Sequence, residues 1–92
     1  MRIVGNIDHP SMKITIFQMD NKLSVKFETG LYEQTYKFRA GDQTDTSEDM
    51  RELVDAEFQQ AVLEQFQQLH RLKMQALNRR RASEGERFEE II

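Results

Sequence analysis

Met12-Lys-Ile-Thr-Ile-Phe-Gln-Met-Asp20-Asn21-Lys-Leu-Ser-Val-Lys-Phe-Glu-Thr29 is the stretch on which the fold turns. Residues 12–19 and 23–29 alternate apolar and polar with period two, the pattern of strands buried on one face. Asp20-Asn21 between them are residues that tolerate the positive φ of a tight hairpin. A two-residue turn there pairs Gln18 with Leu23, Ile16 with Val25 and Ile14 with Phe27, which gathers the branched residues and Phe27 on one side. The same register sets Lys13 opposite Glu28, a favourable cross-strand pair. A slip of one residue would move every one of these side chains to the wrong face, so the register is strongly specified.

Working outward, Gly30-Leu31 suits a second turn, and Tyr32–Arg39 then forms a third strand with Val25 against Tyr36 and Leu23 against Phe38. Its one flaw is Glu28 opposite Glu33, which Lys13 is placed to relieve. Upstream, Ile3-Val4-Gly5-Asn6-Ile7 reads as a weaker edge strand that puts Ile3 and Ile7 on the apolar face, with Gly5 as its weak point. The outer face would carry Lys13, Thr15, Lys22, Ser24, Lys26, Glu28, Glu33, Thr35, Lys37 and Arg39, with Phe17 its sole ring. Without the aromatic platform of single-strand and RNA-binding sheets, this reads as a solvated surface.

Downstream the period changes. Asp45 and Thr46 each stand three residues ahead of an acid, as helix N-caps do, and no glycine or proline interrupts the chain from there to Arg81. One helix over that span is on the order of 50 Å long, about twice the length of the strands. It carries two apolar seams. Val54, Phe58, Ala61, Val62, Phe66, Leu69, Leu72 and Ala76 form one, and Leu53, Ala56, Leu63, His70, Met74 and Leu77, with Gln60 and Gln67 among them, the other, roughly 140° away. A helix lying on one sheet needs a single stripe. The second seam and the excess length therefore predict a partner helix, with Leu53, Leu63, His70, Met74 and Leu77 as the expected homodimer interface.

The 92 residues make one small domain, with a net charge of −3 at pH 7. That charge is segregated: residues 42–57 hold seven acids against Arg51 alone, while 70–81 hold five bases and no acid. Acids at the start and bases at the end of one helix each stabilise its dipole. The basic end, Arg71, Lys73, Arg79, Arg80 and Arg81, also offers phosphate contacts. The three consecutive arginines point all round a helix, however, and the chain is acidic overall, which counts against nucleic acid.

No catalytic constellation emerges. Cysteine is absent, which removes thiol chemistry and cysteine-held metals. The two histidines, His9 and His70, have neither a nucleophile nor a second metal ligand at a useful spacing. Asp42, Asp45 and Glu48 lack calcium-loop spacing, and the glycines form no phosphate-binding run. There is no apolar run long enough to span a membrane and no apolar leader, so a cytoplasmic location is expected.

The expected fold is α+β, a three- or four-stranded antiparallel β-meander followed by one long C-terminal α-helix. The domain should cover residues 1–81, with strands within 2–39, the helix at 47–81, and a mobile acidic tail at 82–92. The expected function is a non-enzymatic protein-interaction module that homodimerises through the helix, without cofactor or metal and with a protein partner the residues do not identify. The alternative is a nucleic-acid-associated accessory protein using Arg71, Lys73, Arg79, Arg80 and Arg81.

Overall fold

A computed structural model of the chain describes residues 1–39, 41–42 and 44–91, with side chains described as far as Ser83. Four strands, β1 (Arg2–Ile7), β2 (Lys13–Met19), β3 (Lys22–Glu28) and β4 (Glu33–Lys37), form one antiparallel sheet in the order β1-β2-β3-β4. Two helices follow, α1 (Ser47–Leu53) and α2 (Ala56–Ile91). The meander expected from the period-two runs is thus complete at four strands.

The central hairpin has the predicted register, Ile14 against Phe27, Ile16 against Val25 and Gln18 against Leu23. Asp20 in its turn has φ 55°, the conformation for which an Asp-Asn turn is suited. Between β3 and β4 the register is also as expected, Val25 against Tyr36 and Glu28 against Glu33, and the turn is closed by Thr29 N–H donating to the Tyr32 carbonyl at 2.9 Å. The opposed glutamates are relieved differently from the expectation. Lys26, not Lys13, lies 3.1 Å from Glu33 and 3.7 Å from Glu28. Its position on the central strand β3, one step from the Glu28–Glu33 pair, lets one ammonium serve both carboxylates. The hydrogen bond to Glu33 and the charge of Glu28 hold Lys26 above its ordinary 10.5.

β1 departs from simple alternation. Ile3 pairs with Phe17 but Gly5 pairs with Ile16, so Val4 is a bulged extra residue. The bulge turns Val4 toward the core and leaves Ile3 on the outer face at 61 % exposure, reversing the side expected for it. Gly5 lets α1 reach close: a Cβ there would sit 3.0 Å from the tip of the exposed Arg51 side chain, which lies over the strand.

The core is Met12, Ile14 and Ile16 from β2 and its approach, Leu23, Val25 and Phe27 from β3, and Met50, Val54, Val62 and Phe66 from the helical half. Phe27 stacks on Phe58 at 5.6 Å, and Tyr36 meets both rings edge-on at 5.8 and 5.3 Å, closing the core beneath α2. Gln34, polar on an otherwise apolar face, donates to the Val62 carbonyl at 3.1 Å and accepts from Tyr36 Oη at 2.6 Å, tying β4 to α2.

The helix expected at 47–81 is interrupted. Thr46 caps α1 as foreseen, its side chain accepting from Asp49 N–H while Asp49 Oδ2 accepts from Thr46 N–H, both at 3.1 Å. Val54 then leaves helical geometry with ψ 65°. Asp55 starts α2 by accepting from Phe58 N–H at 2.9 Å. The break lets Met50 and Val54 plug the sheet from α1 while α2 sets its own direction across it. The expected mobile tail, 82–92, falls mostly on side chains outside the described residues.

Candidate interaction surfaces

The 36 residues of α2 at 1.5 Å each reach about 54 Å, and the chain measures 63 × 27 × 19 Å. The sheet spans only the first part of that length. Val62 and Phe66 are buried on it, and Phe58, Leu63 and Leu69 flank them half-buried. Among the described residues the contacts farthest along α2 that tie it to the sheet are at Tyr32, whose Oη is 2.9 Å from His70 Nδ1 and whose ring lies under Lys73 Nζ at 5.5 Å. Past Lys73 the helix overhangs.

The sheet-facing stripe runs between the two seams read from the sequence. Val62, Phe66 and Leu69 come from the first, Leu63 and His70 from the second, so one sheet takes the inner edge of both. This places the expected dimer residues in three groups. Leu63 packs against the protomer's own core and His70 bonds to its own Tyr32. Leu53 ends α1, 39 % exposed and on a different helix from the rest. Met74 and Leu77 lie on the overhang, half-buried, while Leu72, which is 61 % exposed, and exposed Ala76 lie on its other flank. Apolar side chains of both seams thus continue past the part of α2 that the sheet buries.

The basic residues of the alternative reading are not gathered on one face. Lys73 sits over Tyr32, Arg71 donates to Gln68 at 3.2 Å, and Arg79, Arg80 and Arg81 are exposed at successive steps of about 100° around the helix. His9 is occupied locally: Ser11 N–H donates to its Nδ1 at 3.1 Å, so the ring fastens its own turn. Among the described residues no group of three or more acidic or histidine side chains could hold a metal, and no helix is long and apolar enough to cross a membrane.

The outer face of the sheet holds what the sequence reading took for plain solvated surface. Register aligns Ile3, Phe17, Ser24 and Lys37 in one row across all four strands. Small Ser24 between Phe17 and Lys37 leaves a hollow, and Met1 and Met19 extend its apolar floor. The result is a groove of about 400 Å³ whose rim includes Lys22, Lys26 and Lys37, with Asp20 and Glu33. Alternation carried the signal for it, since Phe17 and Met19 share parity with the lysines.

No family model matches the chain, and neither a curated protein nor a solved structure does.

Proposed function

We propose that the protein is a non-enzymatic interaction module that self-associates through the overhang of α2. The observation that carries this reading is the set of apolar side chains around and beyond Lys73, Leu72 and Ala76 on one flank of the helix and Met74 and Leu77 on the other, which the sheet does not bury. In a lone protomer Leu72 and Ala76 stay in water and Met74 and Leu77 are only half-buried. Two overhangs packed against each other about a twofold axis would cover both at once, because an isologous interface presents the same patch twice. The stabilisation scales with the apolar area removed from water. Leu63 and His70, engaged with their own sheet, hold the helix in place and leave the overhang as the contacting part.

Light scattering over a concentration series tests the proposal. A dimer that becomes a monomer in Leu72→Glu/Leu77→Glu, with unchanged circular dichroism at room temperature, supports it. A wild-type chain that remains a monomer at high micromolar concentration refutes it. Labelled duplex and single-stranded oligomers at low salt address the nucleic-acid reading. Salt-sensitive binding lost on neutralising Arg79, Arg80 and Arg81 would favour that function instead.

A further inference from the structure

We propose that the groove on the outer face of the sheet receives the acidic, apolar-ended segment Glu84–Ile92 of a second copy of the chain. The surface is independent of the overhang and lies on the face of the sheet opposite α2. Its floor is Phe17, Met19 and Met1, and its cations are Lys22, Lys26 and Lys37. Glu28 and Glu33 already neutralise Lys26. Among the described residues Lys22 and Lys37 form no ion pair, and they stand two positions apart along the rows that cross β3, on either side of the hollow at Ser24. An apolar hollow between two unpaired ammoniums selects a ligand with apolar side chains and flanking carboxylates.

The same face of another copy is a poor occupant, because its lysines would meet lysines. The segment 84–92 has the complementary chemistry. It carries four glutamates and one arginine, with Phe88, Ile91 and Ile92 as apolar anchors. A Phe88 side chain suits the hollow beside Phe17, and Glu89 and Glu90 follow directly for Lys22 and Lys37. The donor is a second copy because α2 runs along the other face of its own sheet and carries its C-terminal end past the last sheet contacts, at His70 and Lys73.

Fluorescence anisotropy of a labelled synthetic peptide, Glu84–Ile92, titrated with the full chain tests this. Saturable binding that weakens with salt is expected, and it should fall by about tenfold or more in Lys22→Glu/Lys37→Glu, since each lost charge-assisted contact removes a large part of so small an interface. Both lysines are exposed, so that variant should keep the wild-type circular dichroism spectrum. A peptide with Phe88, Ile91 and Ile92 changed to serine should also lose binding. Equal binding of the serine peptide would mean that charge alone is being read, and would overturn the proposal. So would undiminished binding by Lys22→Glu/Lys37→Glu, or no binding at low salt. Leu72→Glu/Leu77→Glu should bind the peptide as the wild type does, which separates this site from the α2 contact.

Discussion

Replacing Thr15 by valine should stabilise the protein. Thr15 lies in the middle of β2, flanked by Asn6 of β1 and Lys26 of β3, and is 2 % exposed. Its Oγ1 is buried and has no hydrogen-bond partner among the described residues. An unsatisfied buried polar group costs about 1–3 kcal/mol, and the methyl that replaces it is worth about 0.8 kcal/mol when buried. Valine keeps the β-branched shape, so neither a cavity nor a rotamer change offsets the gain. A net increase of about 1–2 kcal/mol follows, which raises the melting temperature by about 4–8 °C per kcal/mol in a domain this small. Urea unfolding followed by circular dichroism should show a higher midpoint with an unchanged slope. Thr15→Ser keeps the hydroxyl and removes the methyl, so the order of stability should be valine, threonine, serine. A midpoint unchanged or lowered in Thr15→Val would refute the reasoning, because it would mean that the hydroxyl has a partner worth keeping.

Val62→Asp places a carboxylate in the core under α2, at a cost of several kcal/mol against a total of about 5–10 kcal/mol; circular dichroism should show an unfolded chain at room temperature. Gly41 has φ 96° in the turn closed by Asp42 N–H to the Arg39 carbonyl, so Gly41→Ala should cost about 1 kcal/mol or more in denaturant unfolding, whereas Gly30→Ala, in open space without positive φ, should be neutral or gain up to about 0.5 kcal/mol. Lys26 is held above 10.5 in the folded state by Glu33 and Glu28, so its contribution is present below that pH and lost as pH rises through the folded value. The stability difference between wild type and Lys26→Gln should therefore be constant near neutrality and shrink in alkaline solution.

The meander was legible because strand alternation is a local property. Ile14, Ile16, Val25 and Phe27 fix both register and facing with no help from the rest of the chain. Two features were not legible for the same reason. The bulge at Val4 reverses the facing of Ile3, and the Arg51 guanidinium from α1 lies over the adjoining Gly5, a juxtaposition of residues far apart in sequence. The break at Val54 is carried by Asp55, whose capping chemistry is visible in the sequence but competes with a run of good helix formers on both sides. Here Met50 and Val54, both buried on the sheet, decided for the break. The candidate surfaces divide likewise. The excess length of the helix could be read directly. Which part of each seam the sheet would take depended on the direction of α2, and that in turn depended on the break.

The strand order has a kinetic consequence. Every strand pairs with its neighbour in sequence, so the sheet closes through three short connections and brings no distant segments together before its first ladder forms. Loop closure of that kind costs little entropy, and chains dominated by such contacts cross their folding barrier quickly for a sheet protein. Only the return of α1 and the first turns of α2 requires a longer search. The sheet thus gives those turns a surface on which to settle, while the overhang of α2 can wind or unwind without altering the rate at which the rest of the molecule forms.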